Sequence, residues 1–323
     1  MHVSRRLRAW AKQVLLIAAV GFSAVVLPAS AQTPLRIVVP FPPGGGLDGV
    51  ARLLALHLAA VRGETVLVEN RPGADALIGM QHVANAAPDG RTVLMGASFL
   101  ASNMVLHRFN FDPRAELAPV VMTSTNETVL GVNAALDVHS VGDLVRLAQS
   151  RPKGLNCGAA AGHPALACEQ MRSLLKGQAT SIPFAGLGPA ISALAAGHVD
   201  MVLAPRGALS SVADAGKVRF IAGVDDHKLA PPLHELPLLR NTWPLMYAVN
   251  FNGVFAPAGT PASIVQSLNR DLNRVLLLPE VRTTLQKNGH HMAGGAPEVL
   301  GSVLSDSIVH MRHIADQLGI KPN

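Results

Sequence analysis

Apolar runs typical of buried strands alternate with helical patterns along most of this chain. LRIVVPF (residues 35–41) is apolar and rich in β-branched residues, and residues 47–61 carry apolar side chains at helical spacing. The alternation continues with a strand-like run at 65–70, a helical pattern at 77–86 and a strand-like run at 92–97. Near-continuous apolar strands separated by helices form parallel sheets covered on both faces, so the pattern predicts an α/β fold.

A second alternating series begins near Val129, and two long helical stretches close the chain. Ser140 is a predicted helix N-cap, with Asp143 at the capping-box position. After a proline-rich loop, the run YAVNFNGVFAP predicts a further strand. The sequence therefore predicts two similar α/β halves. The remaining predicted segments are, in chain order, 140–150, 154–159, 165–175, 179–184, 189–197, 199–205, 217–223, 261–277 and 297–318.

The first 31 residues follow a different pattern from the rest of the chain. Four basic residues precede an apolar stretch at 14–27, and Ala29-Ser30-Ala31 forms an A-x-A cleavage site. This arrangement is typical of a secretory signal peptide, and 14 apolar residues are fewer than the roughly 20 that a membrane span needs. We therefore expect cleavage after Ala31 and a periplasmic location, by either the general or the twin-arginine export route.

The predicted cleavage changes the charge of the mature protein. The full chain has 27 Lys and Arg against 21 Asp and Glu, a formal charge of +6. Four of those basic residues lie in the predicted signal peptide, so the mature chain carries 23 basic against 21 acidic residues, a charge of +2. Because no basic run interleaved with aromatic residues remains, we expect no binding to nucleic acid.

The chain has two cysteines, Cys157 at a predicted strand end and Cys168 within the following helix. Two cysteines are too few for a disulfide framework. Export permits a disulfide between them. Because free cysteines are among the most buried residue types, two buried free thiols are the favoured interpretation.

The turn PFPPGGGLDG, between the first predicted strand and helix, is the main candidate for a binding site. Its glycines are consecutive, whereas a dinucleotide fingerprint needs G-x-G-x-x-G, and the G-K-[ST] of a phosphate-binding loop is absent. Glycines let backbone amides approach a ligand closely, and a helix N-terminus carries partial positive charge. The amides of Gly45, Gly46 and Leu47 are therefore predicted to bind a carboxylate. The alternative is a tight turn whose Asp48 satisfies the helix end.

Several segments resemble the solute-binding proteins of tripartite tricarboxylate transporters, the Bug family. They are VVPFPPGGGLDGVARLLA, VENRPGADALIGMQHVANAAPDGRTVLMG, FNFDPRAELAPV, PFAGLGPAISALAAGHVDM, FAPAGTPASIVQSLNRDLN and GGAPEVL. Together they cover nearly all of residues 33–323 in the expected order. The ENRPGA segment, about 20 residues after FPPGGG, makes this resemblance more specific than glycine spacing alone.

The resemblance implies a periplasmic-binding-protein fold of the second topological type. In that fold, two α/β lobes are joined by a hinge of two crossing strands, with the ligand in the cleft between them. Carried onto this chain, the first lobe is 32–130 plus 252–323 and the second is 131–251, with crossings near 129–133 and 249–253. The implied function is capture of a small carboxylate and its delivery to a membrane permease by a monomeric receptor without a cofactor. A sensor kinase is the alternative partner.

The resemblance also places a set of residues around the cleft. Leu47, Ala159, Leu187 and Ala204 stand where relatives carry small polar or acidic residues, so we expect a ligand with one carboxylate and a substantial apolar body. Arg206 is either a bidentate partner of that carboxylate or a solvated residue capping a loop. The implied ligand contacts are Phe41, Gly44, Gly45, Gly46, Leu47, Asp48, Ser98, Ala159, Gly162, His163, Gly186, Leu187, Ala204 and Arg206.

Alternative roles remain for some of these side chains and for other polar residues. Ser98 is also a candidate N-cap of a helix at 99–106, and His163 is also a candidate exposed turn histidine. We expect no metal at His290-His291, because the side chains of adjacent residues diverge and no acidic residue lies nearby in sequence. The resemblance implies an ordinary turn at this position. Asp225-Asp226-His227 is expected to be a solvated loop.

A secreted hydrolase is the other function class that the sequence allows us to test. A nucleophile elbow needs G-x-S-x-G, and GASFL lacks the second glycine. The chain also contains no H-E-x-x-H motif, and neither cysteine has an evident histidine partner in sequence. We therefore expect a binding protein and not an enzyme.

Overall fold

A computed structural model describes residues 33–108, 110–160, 163–225, 228–244, 246 and 250–322. The predicted signal peptide and Gly162 lie outside the described residues, as do Asp226, His227 and residues 247–249 of the predicted strand. Of His163 only the backbone is described.

The first sheet combines strands from the two ends of the described chain. Its spatial order is β11-β4-β10-β3-β1-β2, with β1 parallel to β2 and β3 and with β10 antiparallel to its neighbours. The predicted α/β fold is confirmed, although the sheet is mixed and not wholly parallel. The strands are β1 (Leu35–Val39), β2 (Val66–Asn70), β3 (Thr92–Ala97), β4 (Leu117–Asn126), β10 (Phe251–Pro257) and β11 (His290–Met292).

The second sheet takes its strands from the middle of the chain. Its order is β7-β6-β8-β5-β9, in which β6 runs parallel to β7 and β8 whereas β5 is antiparallel to β8 and β9. Two sheets of this kind fit the predicted pair of α/β halves. The strands are β5 (Thr128–Asn133), β6 (Leu155–Ala160), β7 (Ala179–Phe184), β8 (Met201–Pro205) and β9 (Val218–Gly223).

The helices connect these strands and cover the sheets. Ser140 caps its helix as predicted, since its hydroxyl oxygen accepts the N–H of Asp143 at 3.1 Å. Among the residues described, no helix is long and apolar enough to cross a membrane. The helices are α1 (Gly46–Arg62), α2 (Leu77–Ala84), α3 (Phe99–Leu106), α4 (Pro113–Glu116), α5 (Val141–Ser150), α6 (His163–Leu174), α7 (Leu187–Ala196), α8 (Arg206–Asp214), α9 (Leu239–Thr242), α10 (Ala262–Leu277), α11 (Pro279–Lys287) and α12 (Pro297–Leu318).

Strand β1 shows why its sequence is almost continuously apolar. Ile37 and Val39 belong to a buried cluster with side chains of α1 and α10, whereas Val38 belongs to a second cluster with Phe255 and side chains of α12. Successive side chains of a strand point to opposite faces, so both faces of the first sheet are covered. Each fully buried side chain of this size stabilises the fold by about 2 kcal/mol relative to an exposed one.

The chain passes from the first sheet to the second at a single residue. Strand β4 ends at Asn126 and β5 begins at Thr128, so Glu127 makes the crossing. The return segment reaches β10 through Asn250, whose carbonyl accepts the N–H of Asn126 at 3.2 Å. The two crossing segments are therefore hydrogen-bonded side by side. The lobe boundaries given above stay a prediction.

Cys157 and Cys168 form a disulfide that joins β6 to α6, with their Cα atoms 5.8 Å apart. The expectation of two free thiols is therefore wrong. The connection after β6 brings α6 back over that strand, and both cysteines lie fully buried in one apolar cluster. The two cysteine side chains are therefore close together because α6 packs on β6, the strand that precedes it.

Candidate functional site

The glycine-rich loop leaves β1 and enters α1 with its three glycines exposed. Gly44 has φ +89°, a left-handed conformation that favours glycine. A Cβ built at Gly44, Gly45 or Gly46 would meet no heavy atom of the described chain within 4 Å. The first intrahelical bond runs from the N–H of Gly49 to the carbonyl of Gly45 at 3.0 Å, so the amides of Gly46 and Leu47 precede the helical ladder.

Asp48 holds this loop in place. Its buried carboxylate accepts the N–H of Gly44 at 2.9 Å, Nε of Arg52 at 2.9 Å and Nδ2 of Asn70 at 2.9 Å. Asn70 Nδ2 also lies 3.1 Å from the carbonyl oxygen of Phe41, to which it donates. Burial opposes ionisation of Asp48, but the hydrogen bonds from Arg52, Gly44 and Asn70 outweigh it and lower the pKa. The carboxylate therefore holds the turn, as the tight-turn alternative expects, and its contact with a ligand stays a prediction.

An apolar wall lies next to the loop. The rings of Phe41 and Phe99 meet edge to face with their centroids 5.1 Å apart. Leu47 packs against both buried clusters of the first sheet. Leu166 of α6 belongs to the same cluster as Phe99, so a helix of the second half of the chain reaches this wall.

Ser98 lies at the end of β3 but does not cap α3. Its buried hydroxyl donates to Oδ1 of Asn250 at 3.0 Å, and Asn250 Nδ2 donates to the hydroxyl of Thr128. The N-cap alternative is wrong, because the side chain makes no capping bond to the described helix. Ser98 instead connects the first sheet to both crossing segments.

The predicted contacts of the second half lie along one edge of its sheet. Ala159 pairs with Pro183 in the parallel register of β6 and β7, and β8 runs parallel on the other side of β6. The loops after these strands therefore leave from the same edge, where ligands bind in open α/β sheets. Ala159 and Ala204 are buried, whereas Gly186 and Leu187 are partly exposed at the start of α7.

A cavity of about 480 Å³ lies beside α6 and is shared by both halves of the chain. Ala159 is a predicted ligand contact that lines it. The first half contributes the end of α3, and the C-terminal residues 319–321 complete the wall. Its other lining residues are Asp75, Leu106, His107, Ala160, Ala165, Glu169, Arg172, Ser181, Pro183 and Phe184.

Arg206 is engaged by the protein itself. Its Nε lies 3.1 Å from Oε2 of Glu127, and Nη1 donates to the carbonyl oxygens of Ala230 and Pro231 at 3.4 Å each. The side chain is 17% exposed. The bonds to two carbonyl oxygens of the proline-rich loop fit the expectation of a loop-capping residue, although the side chain is not solvated, and the role of Arg206 as a ligand partner stays a prediction.

His290 and His291 point to different partners, as expected of adjacent side chains. Nδ1 of His290 lies 2.9 Å from Oδ1 of Asn126, and burial together with the nearby His291 lowers the pKa of His290 to about 4. Nε2 of His291 lies 3.2 Å from Oε1 of Glu127. The expected turn is therefore wrong, since residues 290–292 form β11, and an acidic residue distant in sequence, Glu127, approaches from the crossing.

Asp225 also differs from its expectation. It is 2% exposed, and its Oδ2 accepts the N–H of Thr128 at 2.9 Å. A solvated loop is therefore wrong for this residue. In the described part of the chain, no three His, Cys, Asp or Glu side chains are grouped so that they could hold a metal ion.

Comparison with known proteins agrees with this architecture. Residues 50–320 match the family model TctC, described as tripartite tricarboxylate transporter family receptor. BugT of Bordetella pertussis is 30% identical over 324 residues, which cover 95% of this chain and 96% of the relative. A Pseudomonas sp. strain P51 protein, described as "UPF0065 protein in tcbD-tcbE intergenic region", is 33% identical over 282 residues, 86% of this chain and 84% of its own length.

Solved structures share the whole fold. "R. palustris Rpa4515 with adipate" superposes with a TM-score of 0.83 at 30% identity, covering 90% of this chain and 98% of that one. "MatC (Rpa3494) from Rhodopseudomonas palustris with bound malate" gives 0.80 at 28% identity, covering 87% and 98%. The periplasmic binding protein BugD gives 0.82 at 24% identity, covering 90% and 99%. This chain belongs to the tripartite tricarboxylate transporter receptor family and is a Bug-type solute-binding receptor, not an enzyme.

Proposed function

We propose that this receptor captures a small carboxylate between two lobes and delivers it to the membrane subunits of a tripartite transporter. The observation that carries the proposal is the loop at 44–48, where exposed glycines with open space around a built Cβ lead into a helix start and Asp48 holds the turn. The amides of such a loop, together with the helix dipole, bind carboxylates without a basic side chain. Adipate and malate, named with two related structures, both carry carboxylates.

The charges around the loop favour a ligand less polar than citrate. Asp48 and Arg206 are both occupied by protein groups, and Phe41, Leu47 and Leu187 offer apolar surface. One carboxylate is compensated by the loop amides, whereas each further buried carboxylate without a partner costs several kcal/mol. The proposed ligand therefore has one carboxylate and a substantial apolar body.

The proposal also includes the cellular location of the receptor and the movement of its two lobes. The mature chain begins at Gln32 after export to the periplasm. The ligand binds to the loops of the first lobe, and the second lobe closes over it. Closure requires contact with both lobes, because a ligand shifts a conformational equilibrium only by its differential affinity for the two states. The permease subunits then receive the closed form.

Thermal unfolding of the mature chain with matched acids tests the ligand class. Hexanoate and adipate have six carbons each and differ in the second carboxylate, while phenylacetate, malate and citrate extend the series. A ligand that binds only the folded protein raises its Tm by mass action. We expect the largest increase with hexanoate or phenylacetate and the smallest with citrate.

Two outcomes contradict the proposal in different ways. A larger Tm increase with citrate than with hexanoate overturns the predicted polarity but not the receptor function. No increase with any acid, together with no small molecule released from the purified protein in mass spectrometry, overturns carboxylate capture itself. Uptake of the bound acid by proteoliposomes containing the membrane subunits of a tripartite tricarboxylate transporter tests delivery.

A further inference from the structure

A partly buried cluster of charged and polar side chains lies at the crossing between the two sheets, outside the glycine-rich loop. Glu127, which makes the crossing, is 1% exposed. Its Oε2 lies 3.1 Å from Nε of Arg206, and its Oε1 lies 3.2 Å from Nε2 of His291. Arg206 begins α8 of the second half, whereas His291 lies on β11 of the first sheet. We name Glu127, Arg206 and His291 together the crossing contact.

Backbone groups strengthen the attachment of Glu127 to the second half. Its carbonyl accepts the N–H of Arg206 at 2.8 Å, and its Oε1 accepts the N–H of Ala230. A buried carboxylate is costly unless it is paired. Any rotation of the sheets that separates Glu127 from Arg206 and His291 therefore carries a free-energy cost.

The pairing is incomplete in the described arrangement. Oε2 of Glu127 and Nε2 of His291 are both buried, and neither makes an aligned hydrogen bond to any described group, although each lies within ion-pair distance of a partner. The ligand loops do not use either atom. The distance between Glu127 and His291 therefore depends on the relative position of the two sheets.

Shape complementarity joins the same two elements. A Cβ built at Gly207, the second residue of α8, would lie 1.8 Å from the carbonyl oxygen of Asn288. Asn288 ends α11 and stands just before β11. Helix α8 therefore abuts the turn that leads to His291, and the contact has no room for a larger residue at 207.

We propose that the crossing contact restrains the angle between the two lobes in the ligand-free receptor and so sets ligand affinity from outside the ligand loops. Two crossing segments alone leave that angle free to vary. Closure changes that angle, so a contact that holds the ligand-free angle opposes closure and weakens binding by its free-energy difference between the two states. The restraint itself needs no ligand, whereas its effect on affinity rests on the proposed function.

Distance measurement between spin labels tests the restraint without any ligand. Both native cysteines are in the disulfide, so Leu56→Cys on α1 and Gln149→Cys on α5, both exposed, accept labels selectively. We expect a narrow distance distribution in the mature receptor and a broader one after His291→Ala. His139→Ala is the matched control, because His139 pairs with Asp137 within the second half, and it should leave the distribution narrow.

Gly207→Ala tests the same contact by steric displacement. The added methyl group must move the turn at Asn288, so we expect a shifted mean distance. Gly142→Ala is the matched control, because Gly142 is also the second residue of its helix and its Cβ would meet only ordinary contacts at 3.6 Å. Circular dichroism checks that each variant is folded.

Affinity for hexanoate, measured by calorimetry, is the second measurement. We expect His291→Ala to lower the Kd roughly fivefold or more, because closure is no longer opposed, and His139→Ala to leave it unchanged. Unaltered distance distributions in both His291→Ala and Gly207→Ala overturn the proposal, whatever the ligand. Altered distributions support the restraint even if hexanoate does not bind, so a failure of the ligand proposal is recognised separately.

Discussion

At the scale of single residues, Asp48 decides what the glycine-rich loop can do. Its carboxylate accepts three donors and closes the loop from Gly44 to the first turn of α1. The amides of Gly46 and Leu47 precede the helical ladder and have no acceptor within the helix. Asp48 is a positioning residue in the proposed binding of a carboxylate, because it acts through Gly44 and Asn70.

Asp48→Asn should weaken binding of hexanoate by about tenfold and lower the free energy of unfolding by about 1–3 kcal/mol. The amide keeps the size of the side chain but loses the charge that pairs with Arg52 and one acceptor oxygen. Calorimetry gives the affinity and urea unfolding gives the stability. A variant that binds hexanoate as tightly as the original chain contradicts the positioning role.

Asp143→Asn is the control for this substitution. Asp143 accepts the N–H of His139, four residues earlier, at 3.0 Å and pairs with Arg146, as Asp48 does with Gly44 and Arg52. It lies at the start of α5, away from the glycine-rich loop. We expect unchanged hexanoate affinity in Asp143→Asn, so an equal loss in both variants would show a general effect on helix starts.

At the scale of elements, the covalent link between β6 and α6 fixes one edge of the proposed cleft. Cys157 lies on the strand that ends at Ala160, and Cys168 lies within the helix that follows. The disulfide therefore restrains the loop between them. The packing of α6 on β6 and the disulfide both restrain the connection between these two elements.

Replacing both cysteines by alanine should lower the free energy of unfolding by about 3 kcal/mol, the entropic effect expected for a short closed loop. Urea unfolding of the mature chain measures this change in free energy. The reduced original chain, which keeps both cysteines but lacks the disulfide, separates the effect of the bond from that of the substitutions. Matching unfolding midpoints for the oxidised chain and the alanine variant would show that the disulfide does not stabilise the fold.

Some elements were predictable from sequence and others were not, for a physical reason. Strand β1 and helix α1 have strong local periodicity, and Ser140 with Asp143 forms a local cap. Helix α8 was not predicted, because Leu209 is its single fully buried residue and the apolar periodicity is correspondingly weak. Strand β11 has three residues and forms by pairing with β4, a contact between distant segments.

At the scale of the whole molecule, buried polar groups concentrate where β4, β10 and β11 meet. Asn252 donates to Ser124 at 2.9 Å and to Asn126 at 3.0 Å, and His290 lies against the same groups. These contacts join segments that are far apart in sequence. Protonation of His290 would place a charge in this buried cluster.

The free energy of unfolding should therefore fall as the pH falls from about 6.5 to about 4. The folded state holds the pKa of His290 at about 4, whereas the usual value is 6.5, so the unfolded chain binds a proton in this interval and the folded chain does not. The expected loss is about 3 kcal/mol. Urea unfolding at a series of pH values measures it.

His290→Gln should flatten this part of the pH profile, because glutamine cannot titrate. The control is His139→Gln, since His139 is 64% exposed and its replacement should leave the profile unchanged. In all three proteins, protonation of carboxylates whose pKa is lowered in the folded state, such as Asp48 and Glu64, still lowers the free energy of unfolding at more acidic pH. Parallel profiles for His290→Gln and the original chain would contradict the assignment.

The sequence by itself determined the α/β alternation, the Ser140 cap, the glycine-rich loop and the family resemblance, because these features can be read along the chain. Tertiary structure alone decided the pairings of Arg206 with Glu127 and of Cys157 with Cys168. It also decided that Asp48 serves the loop. The physical reason is that a charge or a thiol binds whichever group the fold brings within a few ångströms, and that distance is set by packing and not by local pattern.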